Sequence, residues 1–307
     1  MKFSITIPAF KRAFLYEAIE SCLAQTYKDF ELIIVDDASP EDLKSVVDRF
    51  QDSRIRYYRN EKNCGALNVV DNWNICLGYS QGDYVICMGD DDRLLPCCLE
   101  EYSKLIEKYP NIGLLHGWTE IIDEKSKPTK LTSRRTEYES VYSLMWHRFN
   151  VYSYQFIGDF CFNRHLLIKN GGFYKLPLAW SSDDLSAYVA ASYNGVANTQ
   201  AIVFQYRVNS QTITSSGNVD YKMKASISYF HWIHDFLKKP VSNHVDDMYR
   251  AQLLNEYAKH FESRQSYTIA QDLKSHNVLR LFYWLRNSGR WSINVKCLLK
   301  AIKKAYF

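Results

Sequence analysis

Three groups of adjacent carboxylates are the residues best suited to chemistry: Asp36-Asp37, Asp90-Asp91-Asp92 and, after two serines, Asp183-Asp184. Neighbouring carboxylates repel, so burying them together is costly unless a cation shares their charge. A divalent ion that prefers oxygen is the economical partner, and Mg2+ usually comes with substrate phosphates. A single ionised carboxylate beside a hydroxyl can take its proton as general base. Each group also has a plainer reading. Three consecutive aspartates are often a solvated turn, and Asp183 could simply cap a helix that starts at Leu185, a role compatible with catalysis.

The elements around these groups decide between the readings. FSITI at 3–7, ELIIV at 31–35, IRYY at 55–58, YVICM at 84–88 and IGLLHG at 112–117 are strand-like runs. Between them, residues 13–23, 66–80 and the stretch after Pro96 carry apolar residues at helical spacing. Ser39-Pro40-Glu41-Asp42 reads as a helix start, with Ser39 as cap and Leu43, Val46, Val47 and Phe50 continuing the helix. Strands alternating with helices predict an α/β fold with a largely parallel sheet covered on both faces. Ligands bind such sheets beyond the carboxyl ends of the strands. Asp36-Asp37 follow the second strand and Asp90-Asp91-Asp92 the fourth, which favours the functional reading. Residues 118–150 read as polar and loop-like, and the chain is helical from about 220 onward.

Composition is that of a globular protein, with 47% hydrophobic and 23% charged residues, which excludes a disordered or collagen-like chain. No apolar run approaches the length of a membrane span. The start, MKFSITIP, lacks a charged n-region and a long apolar run, so a reducing cytoplasm is expected, with the eight cysteines as small core residues. His116 and His165 lack metal-ligand spacing and read as structural. No GxGxxG or GxxxxGK[ST] pattern occurs, so dinucleotide and P-loop readings have no support.

Five segments, in order, resemble family 2 glycosyltransferases of the GT-A fold: FSITIPAFKR, LAQTYKDFELIIVDDASP, NEKNCGALNVVDNWN, GDYVICMGDDDRLLP and NGGFYKLPLAWSSDDL, spread over roughly residues 1–215. The resemblance implies a mostly parallel sheet sandwiched by helices, with a helical C-terminal extension. It implies that Pro8, Ala9 and Phe10 cradle the nucleotide base, with Arg12 and Asn68 also on the nucleotide side. Asp37 would accept a hydrogen bond from uracil, Asp90 would take the ribose and Asp91 the Mn2+ or Mg2+ on the diphosphate. Asp92 reads as a helix cap or supporting group. The usual first acid of this DXD segment falls on Gly89. An arginine often found near Asn68 or Trp73 is missing, and Arg59 is its candidate substitute. Ser181-Ser182-Asp183-Asp184 resembles the motif that carries the catalytic base, with Asp183 preferred and Asp184 its alternative. Tyr206-Arg207-Val208-Asn209, with Ser210 and Thr212 to Ser216, resembles a loop over the diphosphate or acceptor, Arg207 and Asn209 being its candidate contacts; a surface strand and turn is the plainer reading.

The net charge of +4 hides an asymmetry: from Lys274 to the end there are eight Lys or Arg and no acid. That segment, residues 274–307, reads either as a helix lying on an anionic membrane surface or as an apolar face packed on the protein with solvated cations; RNA is a weaker third partner. The expected organisation is a GT-A domain over 1–219, with a nucleotide-sugar half over about 1–117 and an acceptor half over about 118–219, and a basic helical extension over 220–307. The expected function is metal-dependent inverting transfer from a nucleotide-diphosphate sugar, a UDP-sugar first, to a glycan or lipid-linked acceptor in surface polysaccharide synthesis. A peripheral position on the inner face of the membrane would suit it, and no nucleic acid is expected. The alternatives are a non-catalytic nucleotide-sugar-binding protein and a nucleotidyltransferase, for which only Lys11 and Arg12 offer a basic loop.

Overall fold

Alternating strand and helix patterns appear as elements in the expected order in the computed structural model, which describes residues 1–150, 154–209, 218–275 and 279–306. The first ten are β1 (Phe3–Ala9), α1 (Leu15–Leu23), β2 (Phe30–Asp36), α2 (Lys44–Val47), β3 (Ile55–Arg59), α3 (Val69–Tyr79), β4 (Tyr84–Cys87), β5 (Arg93–Leu94), α4 (Cys98–Lys108) and β6 (Leu114–Ile122). There follow β7 (Pro128–Leu131), β8 (Tyr138–Glu139), α5 (Val141–Phe149), β9 (Phe160–Asn163), α6 (Arg164–Lys169), α7 (Ser182–Ala191) and β10 (Val196–Arg207). The last are α8 (Val219–Leu237), α9 (His244–Ser275), α10 (Leu279–Arg286) and α11 (Val295–Tyr306). The chain divides into two compact units, Met1–Lys175 with Ser182–Thr212, and Leu176–Ser181 with Ile213–Phe307.

The first unit is built on a sheet ordered β3-β2-β1-β4-β9-β6-β10-β5. β3, β2, β1 and β4 are parallel neighbours, and β10 is parallel to β6. β9 runs antiparallel to both β4 and β6, and so joins two parallel blocks. β2 is buried along its whole length and β1 everywhere except Pro8, as a sheet covered on both faces requires. Leu15, Ala18, Ile19 and Cys22 of α1 and Cys98, Leu99 and Tyr102 of α4 join the same core as Ile5, Ile7, Leu32 and Ile34. Parallel pairing puts the carboxyl ends of β1, β2 and β4 side by side, with Ala9 level with Asp36.

Two local expectations fail. α2 is a single turn, and Ser39 does not cap it: Asp42 accepts from the Ser45 amide at 3.1 Å, while the Ser39 hydroxyl donates to the Phe10 carbonyl. Residues 118–150 are not loop-like: β6 runs on to Ile122, and β7, β8 and α5 follow. β7 is exposed throughout, so its polar sequence carried no burial signal.

All eight cysteines are free thiols, six of them buried, and burial raises the pKa of Cys22 and Cys87 to about 12. His116 is buried beside Asp159, and burial pulls its imidazole below the usual range.

The second unit packs α8 to α11 with the short segment 176–181. Met223, Ile269 and Leu273 meet Trp284, Trp291, Cys297, Leu298 and Ala301 in one core. Trp284 donates its indole N–H to Asp272 at 2.8 Å. In the segment 176–181, the Trp180 ring has Lys222 Nζ at 5.0 Å and Arg264 Cζ at 4.8 Å from its centroid, and Arg264 also donates to Ser181 Oγ at 2.9 Å. Among the described residues no helix is long and apolar enough to cross a membrane.

Candidate active site

The turns after β1, β2 and β4 are tied together by the carboxylates that the sequence singled out. After β1, the backbone N–H groups of Phe10 and Lys11 each donate to Asp90 Oδ2 at 2.7 Å. Asp37 N–H donates to the Ala9 carbonyl at 2.9 Å. Asp37 Oδ1 accepts from Asn60 Nδ2 at 2.8 Å and from the Cys64 amide at 2.9 Å. Asn68 Nδ2 donates to the Cys64 carbonyl at 3.2 Å, which holds the Asn63–Asn68 turn beside Asp37. Pro8 is partly exposed, Ala9 is buried, Phe10 presents an exposed ring and Arg12 is exposed, so this edge offers both an apolar and a cationic surface.

Asp36 is consumed by structure. It accepts from Tyr57 Oη at 2.7 Å and from the Ser39 amide, and it pairs with Arg59. Arg59, the candidate substitute for the missing nucleotide arginine, is therefore committed to Asp36 and to the Ser39 carbonyl.

The three acids after β4 point to different partners. Asp90 is buried, and burial followed by the negative charge of Asp91 pushes its pKa up to about 6 against the pull of the two backbone N–H groups. Asp92 is buried, accepts from the Arg207 amide at 2.9 Å, and is raised well above the usual carboxylate range by burial and then by Asp91. Asp91 is half-buried and accepts from Asn209 Nδ2 at 2.6 Å. Among the described residues no three His, Cys, Asp or Glu side chains already converge as a metal cage. The donor set still fits an oxygen-preferring cation. It is an accessible carboxylate between two buried ones, each raised by burial first and by the Asp91 charge second. A Cβ at Gly89 would lie 3.0 Å from Asp91 Oδ1 and 2.9 Å from Asp92 Oδ2. The two carboxylates occupy the room left by the absent first acid.

Arg207 corrects an expectation. Its side chain is fully buried, and its guanidinium donates to the Asp91 carbonyl at 2.7 Å, the Asp123 carbonyl at 3.1 Å, Ser126 Oγ at 2.9 Å and Glu17 Oε2 at 3.0 Å. It also lies over the Phe14 ring, 4.2 Å from its centroid. It thus holds the backbone of the acidic turn and does not offer its charge to a diphosphate. Asn209 does reach Asp91; Ser210 and Thr212 to Ser216 lie outside the described residues.

The third acidic group opens α7. The approach is set by Gly171 and Gly172, with φ of +86° and +88°, where L side chains are strained. Asn74 of α3 clasps the next residue, accepting from the Phe173 amide at 2.8 Å and donating to its carbonyl at 3.2 Å. Asp184 is buried and spent: Arg148 grips it through Nε at 2.9 Å and Nη2 at 3.3 Å, and Gln155 donates at 2.6 Å. Asp183 is half-buried and makes no such pair; α7 starts at Ser182 and not at Leu185, so Asp183 lies within its first turn and does not cap it, and its Oδ1 accepts from the Asp184 amide at 2.9 Å. Burial first and the Asp184 charge second push its pKa up to about 7, with Arg148 opposing. A carboxylate poised near neutrality is suited to take a proton.

Tyr206, the first residue of the run that resembles a loop over the diphosphate, lies on β10. It stacks on Phe156 at a centroid distance of 3.7 Å, and its phenol pKa is raised by burial and then by the charges of Asp92, Asp91 and Asp183. The acidic turn and the α7 carboxylate therefore share one electrostatic neighbourhood. Arg148 and Gln155 were missed. Both are distant in sequence from Asp184, and neither sits in a motif, so only the fold reveals them.

Comparison with known proteins agrees with this geometry. The sequence model of glycosyl transferase family 2 matches residues 4–172. A β-1,3-glucosyltransferase of Campylobacter jejuni, named for GalNAc(5)-diNAcBac-PP-undecaprenol, is 39% identical over 127 residues, which are 40% of this chain and 39% of the relative. An uncharacterised glycosyltransferase of Haemophilus influenzae is 35% identical over 114 residues, 37% of either chain. This chain thus matches well under half the length of these curated relatives. In fold it is similar to S. aureus TarS solved with UDP-GlcNAc, at a TM-score of 0.65 and 15% identity, covering 99% of this chain and 89% of that one. It is also similar to a mannosyltransferase of Pyrobaculum calidifontis solved with GDP-Man and Mn2+, at a TM-score of 0.52 and 14% identity, covering 99% and 84%. The architecture is that of GT-A glycosyltransferases with a helical C-terminal region. With more than half of its residues matched by the family's model, and with its acidic turns set at the strand ends, this chain belongs to glycosyl transferase family 2.

Proposed function

We propose that the protein is a metal-dependent inverting glycosyltransferase that moves a sugar from a UDP-sugar to a lipid-linked glycan acceptor during surface polysaccharide synthesis. The observation that carries this reading is the contrast between Asp183, half-buried with a pKa near neutrality, and Asp184, locked to Arg148. In the transfer, an acceptor hydroxyl oxygen bonds to the anomeric carbon from the face opposite the diphosphate. The bond from that carbon to the diphosphate oxygen breaks, the hydroxyl proton passes to Asp183, and UDP leaves with the bonding pair.

Pro8, Ala9, Phe10, Arg12, Asp37 and Asn68 form the nucleotide side, with Asp90 turned to the ribose. Asp91 would hold Mn2+ or Mg2+, which when bound supplies Lewis-acid stabilisation of the departing diphosphate. Asp90 and Asp92 shape the turn by holding the amides of Phe10, Lys11 and Arg207. The UDP donor draws support from the ligand of TarS, the metal from the Mn2+ of the mannosyltransferase, and the lipid-linked acceptor from the name of the Campylobacter relative. We take residues 1–219 as the catalytic domain, with a nucleotide half to about 117 and an acceptor half beyond it. Residues 220–307 are its basic extension, placed against an anionic membrane surface from the cytoplasmic side.

Calorimetry of UDP and CDP with and without Mn2+ tests the donor site. UDP should bind more tightly than CDP, because the uracil ring N–H can donate to Asp37 and cytosine has none there. Asp91→Asn should remove the gain from Mn2+. Equal UDP and CDP affinities, or an undiminished Mn2+ effect in Asp91→Asn, would overturn this assignment.

A further inference from the structure

The basic end of the chain is not one uniform amphipathic helix. α10 and α11 bury Trp284, Cys297, Leu298 and Ala301 in the core of the second unit, so these apolar residues of the segment that suggested a membrane helix are structural. The cations are divided too. Arg280 is paired with Asp272, Lys300 with Glu262, and Lys304 donates to Ser266. What remains outward is more specific than the sequence pattern.

On α10, Leu279, Phe282 and Leu285 are 75%, 67% and 50% exposed at three-residue spacing. On α11, Val295 and Leu299 are 73% and 62% exposed, and Tyr306 is exposed on the same face. At about 100° per residue, positions 295, 299 and 306 fall within one narrow stripe, and Cys297, Leu298 and Ala301 face elsewhere, into the core that Ile302 also borders. Lys274, Arg286, Arg290, Lys296 and Lys303 are exposed around these stripes. Two exposed apolar rows on consecutive helices, ringed by cations with no acid after Asp272, are not needed for folding, because each helix already has its own buried face.

We propose that the outward stripes of α10 and α11 insert shallowly into an anionic lipid bilayer, with Phe282 and Leu299 as anchors and Arg286, Lys296 and Lys303 on the headgroups. Apolar side chains at the headgroup boundary with long cations reaching back to phosphates is the pattern of helices that lie in an interface. Charge decides against a second copy of this chain as the occupant. A two-fold contact would set this cationic face against itself, whereas anionic lipid is complementary to it. The proposal deepens the lipid-linked acceptor reading by naming the surface that meets the acceptor's own phase, and its test does not depend on turnover.

Sedimentation of the full chain with equimolar phosphatidylglycerol–phosphatidylcholine vesicles, or with phosphatidylcholine alone, tests it. The wild type should pellet with the anionic vesicles only. Phe282→Ser with Leu299→Ser leaves the charge unchanged and should lower partitioning about tenfold or more. Lys296→Gln with Lys303→Gln leaves the stripe unchanged and should weaken binding and its salt dependence. Because all four side chains are exposed or engaged outside the core, thermal melts should match the wild type. Unchanged pelleting of the serine pair would overturn the proposal, since a purely electrostatic contact ignores those residues. So would failure of the wild type to pellet, including the case where sedimentation velocity shows a dimer that the serine pair abolishes. Calorimetry of UDP with Mn2+ in the absence of vesicles separates the two readings. No UDP binding by a chain that still binds lipid overturns the transferase reading and leaves this one standing.

Discussion

Asp183 and Asp184 are adjacent, and the fold gives them opposite tasks. A bidentate arginine and an amide fix Asp184 as a structural group, while Asp183 is left poised near neutrality. Removing one partner of a buried pair strands the other. Asp184→Ala should therefore destabilise the protein by about 3 kcal/mol, the low end for such losses because Arg148 keeps some solvent contact. Urea denaturation checks this, and adding Arg148→Met should recover part of the loss. No recovery would mean that the arginine is not what Asp184 stabilises. The pairing of Asp184 was not legible in the sequence, because Arg148 lies 36 residues away and outside any motif.

At the scale of elements, the legible part was whatever periodicity and burial control. β1, β2 and β4 are nearly continuous apolar runs because both faces of a parallel sheet are buried, so they and the acids that follow them were readable. α2 was legible as a helix but not in its start or its length, and β7 and β8 were not read, because each is short and gains its place from neighbours. The glycine pair before α7 was recognisable as a motif, but its cause is structural. A Cβ on Gly172 would lie 2.3 Å from Asn74 Oδ1, whereas nothing lies within 4 Å of one on Gly171. Both positions carry the cost of a positive φ, about 1 kcal/mol for alanine. Gly172→Ala should cost about 1–3 kcal/mol in all, because it also disturbs the Asn74 clasp on Phe173. Denaturation midpoints of the two variants compare them directly. Equal losses would show that the clasp adds nothing.

For the whole molecule, the proposed function depends on bringing the acidic turn after β4 and Asp183 together. Asp91 and Asp183 are 92 positions apart in sequence, yet both act on the charge environment of Tyr206. Arg207 could be read only as a loop cation until burial showed it pinning the Asp91 carbonyl from inside. The most direct test is the pH profile of UDP release from the UDP-sugar that binds best, with Mn2+ and a lipid-linked acceptor, for the wild type and Asp183→Asn. The base must be ionised and its pKa is raised to about 7, so the wild-type rate should climb with pH through that value and level off above it. Asp183→Asn should be slower by about 10²–10⁴-fold with donor affinity unchanged, and should lose the climb. A variant that keeps both the wild-type rate and the rise near neutrality would contradict the account.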